Sequence, residues 1–324
     1  MKGPTKMNGA FRFAGMPDIM FGRGRFRSAA DIARGFGETA LLVTGRSSYK
    51  ALGCWDEFTA SLDAAGVTWA HITVGGEPSP EIIDEAVAAH RDFRPSVVVA
   101  VGGGSVMDAG KAVSAMLCHE GSVTDYLEGV GVREPTGAKV PFVAVPTTSG
   151  TGSEATRNAV ISRVGPGGFK KSLRHHNFVP DIALIDPDLM VTCPRDITAA
   201  CGMDAFTQLL ESYVSTQASP MTDALAFSGM QAARDSLAPL ARELLVLGGL
   251  AWWAHWLGTH GRYLPAAWLL VGAVAVRAFL AALFVEPAHF GLIAPLYAVP
   301  IVLAQVLVSS RAGTGVAAAS LFMF

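Results

Sequence analysis

Residues 97–116 read VVVAVGGGSVMDAGKAVSAM. An apolar, largely β-branched run enters three consecutive glycines, then a serine, then a stretch whose apolar positions recur every three or four places. Such a run is expected as a buried strand of a parallel sheet, and the periodicity after it makes the glycines a strand-to-helix turn. Without Cβ atoms, Gly102, Gly103 and Gly104 let the backbone approach an anion closely, and the next helix aims its first N–H groups at the same place. Ser105 is expected to cap that helix and to offer a hydroxyl. The spacing is neither GxGxxG nor GxxxxGK[ST], and tight strand-to-helix turns often need glycine for steric reasons alone. One turn of this kind identifies no ligand.

The surrounding sequence supplies the rest of a sheet. Short β-branched runs occur at TALLVTG (39–45), VTWAHITV (67–74), VPFVAVPTT (140–148) and DIALIDP (181–187), with amphipathic segments such as Asp56 to Ala65 and Pro80 to Phe93 between them. Strand and helix alternating in this way predict an α/β domain whose doubly wound parallel sheet is covered on both faces. A second turn then adds weight to the first. VPTTSGTGSEATRNAVI (145–161) leaves a strand through Thr147, Thr148, Ser149, Gly150, Thr151, Gly152 and Ser153 into a helix-compatible segment. Two hydroxyl- and glycine-rich turns at the carboxyl ends of neighbouring strands form the crevice in which doubly wound sheets hold nucleotides, and a pair of them suggests a dinucleotide.

Composition bounds the partners. The 324 residues carry a formal net charge of -2 with a pI near 6.4, so nothing electrostatic points to nucleic acid. The charge is unevenly spread, because beyond Glu243 the only Lys, Arg, Asp or Glu residues are Arg262, Arg277, Glu286 and Arg311. Cys54, Cys118, Cys193 and Cys201 lack CxxC spacing, which fits a reducing compartment. The first twenty residues contain no apolar core of a secretory signal.

Three segments follow from these patterns: an α/β dinucleotide-binding domain over 1–190, the start of a helical domain over 191–243, and a hydrophobic helical tail over 244–324. In the helical part, Asp196 and Ser219-Pro220 read as helix starts. In the tail, AAWLLVGAVAVRAFLAALFV (266–285) and GLIAPLYAVPIVLAQVLVSS (291–310) have the length that a hydrocarbon slab demands. With LLVLGGLAWWAHWLG (244–258) lying in the interface, Arg242, Arg262 and Arg311 fall on one side and Glu286 on the other. The expectation is a membrane hairpin over 266–310 carrying a cytoplasmic N-terminal domain; a buried core helix pair is the alternative.

The segments GGGSVMDAGK (102–111), PTTSGTGSE (146–154), PDIALIDP (180–187) and GMDAFTQLLESYVS (202–215), in this order and spacing and preceded by IMFGRG (19–24), resemble the iron-containing (group III) alcohol dehydrogenase family over about residues 17 to 240. That resemblance implies an NAD(P)-dependent, metal-assisted oxidoreductase that interconverts small alcohols with aldehydes or ketones, and leaves a homodimer open as its assembly. It implies that Gly102, Gly103, Gly104 and Ser105 hold the pyrophosphate with Asp108 nearby. Thr147, Thr148 and Thr151 would line the nucleotide, and Lys170 or Lys171 would reach the ribose or phosphate; a solvated turn is the other reading of those lysines. Members preferring NAD often carry an acidic residue after the second strand, whereas Gly45 stands there, followed by Arg46, Ser47 and Ser48. Arginine and hydroxyls would receive a 2'-phosphate that a carboxylate repels, so NADP is expected over NAD.

The resemblance also implies a divalent metal, Fe2+ or Zn2+, held by an Asp and a His four residues apart and by two later His. Asp204 matches the first ligand and Gln208 stands at the second, a neutral and weaker donor. His255, His260 and His289 do not reproduce the later spacing, and His175 and His176 read as a surface turn. Two readings besides an active dehydrogenase stay open: a catalytically silent, membrane-anchored nucleotide-binding module, and a fusion or frameshift product joined near residue 243.

Overall fold

In the computed structural model, which describes residue 11, residues 13–46 and residues 48–236, the apolar runs become strands of one six-stranded parallel sheet. The elements are β1 (Asp18–Phe21), α1 (Ala29–Phe36), β2 (Thr39–Gly45), α2 (Ser48–Ala51), α3 (Trp55–Ala64), β3 (Thr68–Val74), α4 (Pro80–His90), β4 (Val97–Gly102), α5 (Gly104–Met116), β5 (Phe142–Pro146), β6 (Asn158–Arg163), β7 (Phe169–Arg174), β8 (Ile182–Ile185) and α6 (Arg195–Val214). A further helix, α7, covers 220–236. The sheet order is β1-β8-β5-β4-β2-β3. The chain therefore steps outward from β2 to β3 and returns on the other side of β2 with β4. That reversal is a topological switch point, and the crevice at the carboxyl ends of β2 and β4 is where open α/β sheets bind ligands.

Alternation along each strand assigns its side chains to two cores. Leu41, Val43, Val98, Ala100, Phe142 and Ala144 pack on one face beneath α4 and α5, while Ala40, Leu42, Val99, Val101, Val143 and Val145 pack on the other beneath α1 and α3. Fully burying each of these larger aliphatic side chains contributes about 1.5–3 kcal/mol. This is why β4 reads as an unbroken apolar run. Helix α5 sits unusually close to the sheet, since a Cβ on Gly110 would fall 2.8 Å from both Ala100 Cβ and Phe142 Cε2. The close seat fixes where the α5 N-terminus ends up.

The segment IDP (185–187) has a structural use. The buried carboxylate of Asp186 accepts the backbone N–H groups of Gly24, Phe26 and Asp188 at 3.1, 2.9 and 3.0 Å. It thereby ties the loop after β1 to the end of β8, a task that a carboxylate performs well because charge strengthens each bond.

Three expectations need correcting. The segment after the second turn is not helical: only Ser153–Ala155 forms a single 3-10 turn, and β6 then pairs antiparallel with β7. Gly152 at φ 63° and an extended Thr156 break any helix, after which NAVISR alternates in strand fashion. Accordingly Lys170 and Lys171 lie on a strand of that hairpin rather than in the GPGG turn. Finally, Ser105 does not cap α5. Gly103 occupies the N-cap, and Ser105 lies within the first turn.

The helical start is as expected, with Ser219 Oγ accepting the Thr222 N–H at 3.2 Å at the head of α7. No residue of α6 is buried, and Ile197, Met203, Leu210 and Val214 are exposed. Among the described residues no helix is long and apolar enough to cross a membrane. The hydrophobic tail over 244–324, with its expected hairpin over 266–310 and His255, His260 and His289, lies outside the described residues, as does Ser47.

Candidate cofactor site

The two turns meet at the switch point. Gly102 ends β4 in register with Pro146 of β5, and the Thr147 N–H donates to the Gly102 carbonyl at 2.9 Å, so the turns leave the sheet side by side. A Cβ on Gly103 would sit 3.4 Å from the Thr148 side chain, and one on Gly104 would sit 2.8 Å from Thr151 Cγ2 and 3.0 Å from its Oγ1. The glycines thus serve contact between the turns as well as approach by a ligand. The Val106 and Met107 N–H groups are satisfied by the Gly103 carbonyl at 3.0 Å. The earlier N–H groups of α5, at Gly104 and Ser105, have no intrahelical acceptor and carry the helix's partial positive charge. Glycine backbone and the first helix amides lie here beside the side chains of Thr148 and Thr151, a surface whose chemistry suits a diphosphate.

Asp108 engages the end of the second turn. Its Oδ1 accepts the Ser153 hydroxyl at 2.6 Å, and burial raises its pKa against the lowering pull of Ser153 and Lys111. Behind it lies Lys111, only 1% exposed, whose Nζ donates to the Ser153 carbonyl at 2.8 Å, the Asn158 carbonyl at 2.8 Å, Thr156 Oγ1 at 3.1 Å and Ser153 Oγ at 3.2 Å. Sequence reasoning passed over Lys111. Its signal is the composition of α5, in which Met107, Gly110 and Ser114 flank a lysine on a helix whose residues from Ala109 to Met116 are all buried.

At the end of β2, Gly45 is half-buried and no acidic side chain follows it. Arg46 reaches over the end of the adjacent β3, where a Cβ on Gly75 would come within 2.7 Å of its Cζ and 2.9 Å of its Cδ. The guanidinium is thereby seated beside the carboxyl ends of β2 and β3. Lys170 donates to Glu77 Oε1 at 2.6 Å in an exposed ion pair.

Helix α6 approaches the second turn directly. A Cβ on Gly150 would fall 2.6 Å from Cys201 Cβ and 2.7 Å from its carbonyl oxygen, and Thr148 hydrogen-bonds the thiol, whose pKa burial pushes up. One turn along, Gln208 Nε2 donates to Asp204 Oδ2 at 2.9 Å, so the two sit on one helix face as their spacing requires. Both are exposed. Among the described residues no group of three or more His, Cys, Asp or Glu is arranged to hold a metal. One carboxylate already engaged by a neutral amide is a poor donor set for Fe2+ or Zn2+. These residues do not fit a metal on their own.

Comparison with known proteins matches the geometry. The model of the family "Iron-containing alcohol dehydrogenase" matches residues 17–187, and that of "Fe-containing alcohol dehydrogenase family, C-terminal" matches residues 198–243. A long-chain-alcohol dehydrogenase of Geobacillus thermodenitrificans is 37% identical over 202 residues, covering 62% of this chain and 50% of that protein. An NADPH-dependent butanol dehydrogenase of Clostridium saccharobutylicum is 34% identical over 228 residues, covering 70% and 58%. Among solved structures, the NADH-dependent butanol dehydrogenase A of Thermotoga maritima superposes with a TM-score of 0.64 at 28% identity, covering 71% of this chain and 57% of that one. The sulfoacetaldehyde reductase of Bifidobacterium kashiwanohense, solved with NAD+, gives 0.61 at 32% identity, covering 67% and 57%. The chain thus spans between half and three fifths of the length of the relatives it matches. Its paired turns, its parallel sheet and both family matches make the chain a member of the iron-containing alcohol dehydrogenase family.

Proposed function

We propose that the chain binds a nicotinamide dinucleotide across the switch point and serves as the cofactor-bearing part of an alcohol dehydrogenase-like oxidoreductase acting on small alcohols and aldehydes or ketones. The observation that carries this reading is the direct contact between Gly103–Gly104 and Thr148–Thr151. Gly102, Gly103, Gly104 and Ser105 would present backbone amides to the diphosphate, and Thr147, Thr148 and Thr151 would line the nucleotide. Asp108 would act indirectly, by holding Ser153. Lys170 would have to leave Glu77 to reach a ribose or phosphate.

Bound nicotinamide supplies the hydride acceptor or donor. The chain's own contribution is to bind and orient that group, and the α6 approach at Gly150 supports a seat for the ring at the boundary of the α/β and helical parts. NADP over NAD is the favoured cofactor, because Arg46 is seated across Gly75 and no carboxylate follows Gly45 to repel a 2'-phosphate. Ser47 would add a hydroxyl to that subsite.

We also place the N-terminal domain in the cytoplasm, attached to a membrane through 266–310, which fractionation of the full chain tests; extraction by salt alone would reject it. The incomplete donor set around Asp204 and Gln208 favours a second reading, a nucleotide-binding module without turnover. Titrating the full chain with NADP and NAD, and following reduced nicotinamide with a short primary alcohol and added Fe2+ or Zn2+, separates the two. Binding with turnover supports the oxidoreductase, and binding without turnover supports the silent module. Failure to bind either dinucleotide rejects both.

A further inference from the structure

We propose that Lys111 is a positioning residue for the cofactor, its buried ammonium fastening the second turn to helix α5 so that Thr148 and Thr151 stay against Gly103 and Gly104. The proposal rests on the cofactor-binding reading above and extends it to a residue that touches no ligand. Four acceptors surround Nζ, and all belong to the end of the second turn and the segment that follows it: the Ser153 carbonyl and hydroxyl, Thr156 Oγ1 and the Asn158 carbonyl. An ammonium has three protons, so the cage is fully subscribed. Through Ser153 Oγ the chain continues to Asp108 Oδ1, which returns it to α5 one turn before Lys111. The second turn is therefore pinned from below at Ser153, two residues after Thr151.

Burying a lysine is costly, and a structural tie between helix and strand could be made with neutral groups. The charge matters because of its neighbours. Asp108 on α5 and Glu154 on the 3-10 turn both act on Lys111, and both carboxyl groups have raised pKa values, chiefly through burial. Lys170 acts on Asp108 from β7, and β6 contributes the neutral Asn158 carbonyl. Remove the ammonium's proton and two acidic groups lose their buried counter-charge, leaving only Lys170 acting on Asp108, under a surface meant for a diphosphate. The turn also loses one of its bonds.

Burial lowers the Lys111 pKa from 10.5 to about 8, so this loss falls within an accessible range of pH. The test is the dissociation constant of the full chain for NADP and for NAD between about pH 7 and about pH 9.5, for the wild type, Lys111→Met and Lys111→Arg. Wild-type affinity is expected to fall about tenfold across that range, as loss of a charged hydrogen bond allows. Lys111→Met should bind about tenfold more weakly at the lower pH and lose the pH dependence, while Lys111→Arg, charged throughout, should restore binding at the upper end. A wild-type profile that stays flat, or a methionine variant that binds as tightly with the same profile, overturns the proposal. Should the methionine variant not fold, the wild-type profile alone decides. A wild type that binds neither dinucleotide at any pH rejects the cofactor reading itself, which separates that failure from failure of the role given to Lys111.

Discussion

Gly104→Ala tests the meeting of the two turns with the smallest possible perturbation. The backbone at Gly104 is helical and needs no positive φ, so alanine fits the local conformation and gains about 1 kcal/mol of helix propensity. The added Cβ, however, would lie 2.8 Å from Thr151 Cγ2, 3.0 Å from Oγ1 and 3.3 Å from Cβ. Carbon atoms pack at about 3.5–4.0 Å, so the second turn must retreat by about 0.7 Å or more. Overpacking of that size costs about 1–3 kcal/mol, partly offset by the propensity gain, and the melting temperature should therefore change little. Binding should suffer far more. A hydrogen bond of about 2.9 Å lengthened by that retreat passes beyond useful range. One such bond to a charged phosphate contributes about 1.5–3 kcal/mol, so the dinucleotide should bind about tenfold to a hundredfold more weakly. Calorimetric titration of the full chain with NADP and NAD reads this directly. Thr151→Ala removes Cγ2 and Oγ1 and leaves only the 3.3 Å contact, so on that background, which already lacks one hydroxyl of the site, Gly104→Ala should cost much less affinity than it does in the wild type. Wild-type affinity in Gly104→Ala, or the same loss from Gly104→Ala with and without Thr151→Ala, would refute the contact as the basis of the site.

Further outcomes follow from other residues. Gly75→Ala should dislodge Arg46, whose Cζ lies within 2.7 Å of the position the new Cβ would take, and weaken NADP about tenfold while leaving NAD nearly unchanged; equal loss for both cofactors would reject a 2'-phosphate role. Lys111 gives stability a pH dependence of definite sign. Between about 8 and 10.5 the unfolded chain holds the proton that the folded chain has released, so stability should rise with pH, by about 3 kcal/mol over the window relative to Lys111→Met. Denaturant melts of both proteins across that window check it, and a difference that stays constant contradicts it. Asp186→Ala removes the acceptor of three backbone N–H groups and should cost about 3 kcal/mol, read as a fall of about 8 °C in Tm; a shift under about 2 °C would show that water replaces the carboxylate.

The sequence by itself determined the sheet, because period-two and period-3.6 patterns are local consequences of which side chains must leave water. Thr39–Gly45 is the same segment in the sequence reading and in β2, and the runs beginning at 67, 96, 140 and 181 agree with β3, β4, β5 and β8 to within a few residues. The order of glycines and hydroxyls likewise marked both turns after β4 and β5, since a tight turn whose backbone runs against a neighbouring turn constrains residue type at each position. Tertiary structure alone decided what those residues touch. That Gly104 faces Thr151, Gly75 faces Arg46 and Gly150 faces Cys201 depends on pairs from 29 to 51 residues apart in the chain, and no local pattern encodes which side chain fills the space a missing Cβ leaves. The β6–β7 hairpin escaped notice because Gly152 redirects the chain before any period is established. Lys111 changed most in passing from sequence to structure: a lysine reads as a solvated charge until packing closes over it, and only the closed fold shows its ammonium spent on the turn that follows β5.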